Sequence, residues 1–171
     1  MRTVTSKQGS KSKRTKKRKQ ITKAALEKRV WTVFSKYIRH RDALNQGTPG
    51  VSAKCVTCKE SHPLKGGSLH AGHFISRTVR TIKFDECNVH AQCQGCNYRQ
   101  SGEQGIHAKY VIDTYGIDVF NKLVQERINH LKIKKKPELT RKELLDIEDK
   151  YLSLLKQYES KYPMFLKKSK K

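Results

Sequence analysis

Apolar residues recur every three or four positions in several stretches of this chain, and in its centre that rhythm is lost. From Ile21 to about Gln46, the residues Leu26, Val30, Val33, Phe34, Tyr37 and Ile38 fall on one side of a helix, with Lys and Arg between them. Gly47 to Gly50, with Pro49, supply the stop. After residue 100 the helical period returns. Ser101-Gly-Glu-Gln104 has the form of a capping box for a helix reaching about Tyr115, which Gly116 ends. Ile117 to about Leu131 carries Val119, Phe120, Leu123, Val124 and Ile128 on one face. A basic loop with Pro137 follows, and Thr140-Arg-Lys-Glu143 opens the clearest helix, with Leu144, Ile147, Tyr151, Leu154 and Tyr158 along one stripe.

Residues 51–100 read differently. They hold all five cysteines and four of the seven histidines, and no sustained helical period. Short strands and tight turns fit this composition, with Gly66-Gly67 as a turn. The fold class expected is therefore α+β, with long amphipathic helices flanking a small strand-rich core. The divisions expected are a disordered basic tail over 1–20, a helix over 21–46, the core over 51–116, a helical region over 117–163 and a basic tail over 164–171. No internal repeat is present.

Charge narrows the class of partner. The 171 residues carry 38 Lys and Arg against 15 Asp and Glu, a formal net charge of +23. Taking away the nine basic residues of 1–20, a segment without acids, still leaves +14. The folded part is basic in its own right, which suits a polyanion whose condensed counterions are released on binding. Nucleic acid is the partner this favours over a membrane surface or an acidic protein. No apolar run approaches a bilayer span, and the basic N-terminus lacks the apolar stretch of a signal peptide, so no membrane role and a cytoplasmic location are expected. In a reducing compartment five cysteines, an odd number, are thiols or metal ligands rather than disulfides.

Cys55-Val-Thr-Cys58 and Cys93-Gln-Gly-Cys96 are two Cys-x2-Cys pairs. A two-residue spacer lets both thiolates of a pair reach one ion, and two pairs complete the tetrahedral set of a closed structural Zn²⁺ site. An iron–sulfur cluster or free thiols are the alternatives. The 34 residues between the pairs exceed the spacing of a compact ribbon, so they should carry structure of their own. Cys87 is left over and reads as a small buried residue.

Inside that insertion lie His70-Ala-Gly-His73-Phe-Ile-Ser-Arg77 and Asn88-Val-His90-Ala-Gln-Cys93, and Asn97 follows the last cysteine directly. Singly, a histidine can be a hydrogen-bonded structural residue and such an Asn a helix cap. Together they match a chemistry. Cutting a phosphodiester needs a base for water, and an imidazole titrates in the right range. It also needs a divalent cation on the phosphate, one that takes oxygen ligands and keeps several waters.

The run AGHFISR, followed by FDECNVHAQCQGCNYRQSG and a helical tail, resembles the phage NinG (Rap) recombination endonucleases. The likeness is strongest over residues 51–116; it reaches more weakly into VWTVFSKYIRHRDA and on to about Leu131. More distantly the arrangement is similar to junction resolvases of the endonuclease VII type. The resemblance implies a small ββα-metal (HNH-like) nuclease core, stabilised by zinc, that cuts branched or duplex DNA such as Holliday-type recombination intermediates in the infected bacterial host. It implies His73 as general base, Asn88 as brace of the loop behind it, Asn97 as ligand of a catalytic Mg²⁺ or Mn²⁺, and Arg77 as partner of the scissile phosphate.

The sequence departs from that pattern in one respect. Many HNH nucleases carry an acid immediately before the histidine, where this chain has Gly72, and NinG-like sequences commonly have Asp where it has His70. The second ligand of the catalytic ion stays open between His70 and Asp85, and an imidazole would favour Mn²⁺. His90 is either a further ligand or a core residue. The rival reading is a zinc-ribbon nucleic-acid-binding protein without catalysis. Lys122, Arg127, Lys132, Lys134, Lys135 and Lys136 could track a DNA backbone or simply face solvent. The Leu144–Tyr158 stripe could pair with a second copy, giving a homodimer, or with the first helix of its own chain.

Overall fold

A computed structural model describes residues 21–99, the last by its backbone alone, and residues 103–162. The two basic tails and the capping-box residue Ser101 lie outside the described residues. The chain forms helix α1 (Lys23–Asn45), strands β1 (Ser52–Lys54), β2 (Ser61–Pro63), β3 (Leu69–His73) and β4 (Val89–Cys93), and helices α2 (Gln104–Tyr115), α3 (Ile117–Lys132) and α4 (Arg141–Lys161). A 3-10 turn (Arg80–Ile82) precedes β4, and a wide π-type turn (Gly95–Arg99) follows it. This is an α+β arrangement with two small antiparallel sheets, β1–β2 and β3–β4.

Helix α1 begins where Thr22 Oγ1 accepts the Ala25 N–H at 3.2 Å, and it ends before Gly47 at φ +74°, a conformation that favours glycine. Its residues Leu26, Val30, Phe34 and Ile38, four apart, are fully buried. They meet α4, whose Leu144, Tyr151 and Leu155 close the seam, so the apolar stripe of α4 packs on α1 of its own chain. Each such side chain contributes about 1.5–3 kcal/mol of burial. Helix α4 starts with a full capping box, Thr140 Oγ1 accepting from Glu143 N while Glu143 accepts from Thr140 N. Gly116, at φ +88°, separates α2 from α3 as the sequence predicts. Helix α2 starts differently from its expected box: its N-cap is Glu103, at φ +47° and without a side-chain cap.

The β3–β4 hairpin is the centre of the molecule. Its ladder sets His70 opposite Gln92, Ala71 opposite Ala91, Gly72 opposite His90 and His73 opposite Val89. One face, with Ala71, Val89, Leu69 and Ala91, packs against α1 and β1. The other face carries His90 towards α2, where it meets His107, Tyr110 and Tyr115. A buried ion pair fixes the hairpin to α1. Arg41 donates to Asp42 (2.8 Å), to Glu86 O (2.7 Å) and to Val89 O (2.9 Å), and Asp42 accepts the Ala91 N–H at 2.6 Å. Beyond their mutual contact, the pair bonds to backbone groups of β4 and the loop before it, which helps a buried charge to be tolerated.

Candidate metal cluster and basic cleft

The four cysteines singled out by spacing come together. The Sγ atoms of Cys55, Cys58, Cys93 and Cys96 all lie within 4.8 Å of one another, three of the residues being buried and Cys58 exposed. The knuckle geometry follows from the local backbone: the Thr57 N–H points at Cys55 Sγ and the Cys96 N–H at Cys93 Sγ, each at 3.4 Å. Burial works to raise the pKa of Cys55, and the N–H groups aimed at its sulfur outweigh it, so the thiol is shifted towards thiolate. Burial and the neighbouring sulfurs push Cys58 and Cys96 the other way. The donor set is all sulfur and tetrahedral in number, so the cluster fits a structural metal such as zinc. A second group, Cys58 with Glu60 and His62, shares one thiol with the first. The four-thiolate set is the better match for zinc.

A cleft of about 730 Å³ runs along β3, and Asn97, directly after Cys96 of the cluster, reaches into its lining. His70, His73, Arg77 and Asn97 all line it, together with Trp31, Tyr98 and two further arginines, Arg39 from α1 and Arg127 from α3. Asn97 reaches the cleft from the π-type turn that leaves the second knuckle. His73 reaches it from the last position of β3, half-buried, with its ring stacked on Trp31 at 4.9 Å and 16°. His73 Nε2 lies 3.0 Å from Lys83 O. A carbonyl only accepts, so Nε2 carries the proton and Nδ1 keeps its lone pair. Burial lowers the His73 pKa to about 4, with the charges of Lys83 and Arg77 acting in the same sense, so the ring is neutral at physiological pH.

Asn88 lies behind this wall without exposed surface. Its Oδ1 accepts the Ile75 N–H at 2.7 Å, and its Nδ2 donates to Ile75 O and Ile82 O, both at 3.0 Å. One amide thereby ties the segment after β3 to the 3-10 turn before β4. His70 Nε2 lies 2.9 Å from Gly67 O, and its ring meets Tyr98 edge-on at 5.1 Å. Asp85 is away from the cleft lining, and its Oδ1 accepts the Cys87 N–H at 2.8 Å. Cys87 is half-buried among Phe74, Ile75 and their neighbours. His90 is a fully buried core residue, its Nδ1 2.9 Å from His107 Nε2 and its Nε2 3.2 Å from Tyr115 OH.

Several residues at this site carry no signal in the sequence read alone. Trp31 and Arg39 belong to α1, and their helical period marks them only as helix positions. Gln92 sits directly before the ligand-type residue Cys93 and follows no spacing rule of its own. Only the cross-strand register brings it to Gly72, as described below.

Fold and site define a class: an α+β protein in which a four-cysteine cluster fit for a metal lies next to a basic cleft lined by an imidazole and an amide. The family model "Bacteriophage Lambda NinG protein" matches residues 1–161, and the chain belongs to that family. Among curated relatives, the protein ninG of Enterobacteria phage H19B is 25% identical over 118 residues, covering 65% of this chain and 49% of that protein. The protein ninG of Salmonella phage P22 is 26% identical over 117 residues, covering 64% and 52%. The chain thus spans about half the length of the curated relatives it matches. No solved structure gives a significant match. Among the described residues no helix is long and apolar enough to cross a membrane.

Proposed function

We propose that this protein is a divalent-metal-dependent DNA endonuclease of the ββα-metal (HNH) type, with residues 51–116 as its nuclease core. Its substrates are branched or duplex recombination intermediates of the Holliday-junction kind, met in the cytoplasm of the infected host. The observation that carries the reading is the shared cleft: a neutral histidine and an amide oxygen face one basic groove lined by three arginines.

The cleft residues divide the work. His73 Nδ1 takes a proton from water, Nε2–H being held by Lys83 O so that the ring cannot turn the protonated nitrogen inward. Water oxygen attacks phosphorus, the P–O3′ bond breaks, the departing O3′ takes a proton from solvent, and the products are a 3′ hydroxyl and a 5′ phosphate. Asn97 would hold a Mg²⁺ or Mn²⁺, which when bound neutralises charge on the phosphate and on the departing oxygen. Arg77 contacts a phosphate oxygen pair, and Arg39 and Arg127 bind flanking phosphates. Asn88 acts on the geometry of the loop after His73. The zinc cluster fixes the start of the turn that presents Asn97.

The test is cleavage of a synthetic four-way junction with Mg²⁺ or Mn²⁺, comparing wild type with His73→Ala. Loss of cutting by about 10²–10⁴-fold with binding retained is expected, because a base acts in the chemical step. Equal cutting by both proteins removes His73 from the mechanism. Salt-sensitive binding with no product under any divalent ion would instead make the protein a non-catalytic zinc-ribbon binder.

A further inference from the structure

Gly72, immediately before His73, is buried next to the cleft residue Asn97 and has a second, closer neighbour. A Cβ placed there would lie 2.2 Å from Gln92 Oε1, 3.0 Å from Gln92 Cβ and 3.1 Å from Asn97 Oδ1. Side-chain volume at position 72 is therefore already filled by the amide end of Gln92. Gln92 stands opposite His70 in the ladder, on the same face as Gly72, and has no exposed surface. Its Nε2 donates to Thr57 Oγ1 at 2.8 Å, within the first cysteine knuckle. That bond turns the carbonyl end towards Gly72 and Asn97.

Two amide oxygens thus converge on one point above a glycine. One comes from β4, one residue before Cys93, and is held by the first knuckle. The other comes from the turn that leaves the second knuckle. Paired neutral carbonyl oxygens, one of them on the cleft residue Asn97, suit a hard divalent cation, which completes its shell with water. We infer that Gln92 Oε1 is a ligand of the catalytic cation alongside Asn97 Oδ1. The inference rests on the endonuclease reading only for the use of a divalent ion. It settles the second ligand on a residue that needs no acid before the histidine, and it explains why that position is glycine. It also makes the structural metal a determinant of the second site, since both oxygens are anchored to the knuckles.

The test reads metal binding directly, without DNA. Zinc-loaded protein is titrated with Mn²⁺, and free Mn²⁺ is followed by electron paramagnetic resonance. Wild type should bind saturably, and Asn97→Ala should lose that binding. Gln92→Glu should tighten it by roughly tenfold, because added ligand charge raises affinity for such ions. Gln92→Leu should weaken it by at least roughly tenfold. Gly72→Ala keeps Gln92 but drives its oxygen away, and should weaken binding as Gln92→Leu does. Zinc content measured on each variant reports whether the knuckles are intact. Should Gln92→Leu lose zinc, the Gln92→Glu and Gly72→Ala arms decide. Wild-type Mn²⁺ affinity in Gln92→Glu and Gly72→Ala overturns the inference, as does the absence of saturable binding to wild type. The nuclease reading fails separately. Binding that depends on Gln92 and Asn97 without junction cutting sinks the enzyme and spares the site, whereas cutting with Mn²⁺ affinity indifferent to Gln92 does the reverse.

Discussion

The α1–α4 seam and the β3–β4 hairpin lie side by side and are held by different forces. The seam is apolar: Leu26, Val30, Phe34, Ile38, Leu144, Tyr151 and Leu155 are buried along two helices of 23 and 21 residues. The hairpin has two five-residue strands, and its face towards α2 carries His70, Gly72, His90 and Gln92 rather than aliphatic residues. Too little apolar surface lies on that side to fix it, and short strands are marginal alone. Cysteine pairs, a buried Arg41–Asp42 clamp and side-chain amides supply the order instead. Packing energy is always present; a layer held by a metal would be ordered only with that metal bound.

The comparison can be broken at four places, in descending order of effect. Stripping the metal with a strong chelator, or Cys93→Ser, should unfold the hairpin and abolish junction cutting while most helical circular dichroism persists. Structural zinc supplies about 10–16 kcal/mol of apparent binding free energy in small zinc domains, so nothing in the hairpin can replace it. Loss of ellipticity in parallel with zinc would show that the two layers fold as one unit. Phe34→Ala should cost about 3–5 kcal/mol in urea unfolding, with zinc stoichiometry unchanged. Its ring packs edge-on against Phe84 and Tyr151, so a smaller loss would mean that the seam collapses into the gap.

Acid should act through the buried imidazoles, His40 on α1 and the other three at the polar layer. Burial lowers the imidazoles of His40, His73 and His107 to about 4, and depresses His90 as well. A folded-state pKa below the unfolded value of about 6.5 means that the unfolded chain takes up protons first as the pH falls. Stability should therefore decline from about pH 6.5 down to about pH 4. A flat profile of urea midpoints across that window would contradict the burial of these rings. Smallest is the cap of α4: Thr140→Ala removes the Oγ1 acceptor and should cost about 1 kcal/mol, read as a shift in thermal midpoint.

Legibility in the sequence follows the same division. The helical period over 21–46, the stripe from Leu144 to Tyr158 and the stop at Gly116 all have direct counterparts in α1, α4 and the break between α2 and α3. The cysteine pairs were legible because two thiolates on a two-residue spacer have one common use. Periodicity cannot report contacts between residues 49 apart, such as Asp42 with Ala91. Nor can it show that Trp31 stacks on His73, or that Gln92 occupies the space beside Gly72. Those depend on how the hairpin register meets α1 and the knuckles, and no local pattern encodes that meeting.

The closeness of the four sulfurs has a further consequence once the ion is gone. Cys58 is exposed, and its Sγ lies 3.9 Å from that of Cys93. As an ion leaves, and before the hairpin unfolds, an oxidant can bridge thiols this close, and such a bridge would leave Cys55 and Cys96 as the two remaining thiols, too few to complete the set. Air exposure of demetallated protein would then convert a reversible loss into a covalent dead end, one that added zinc alone does not reverse and a reductant must precede.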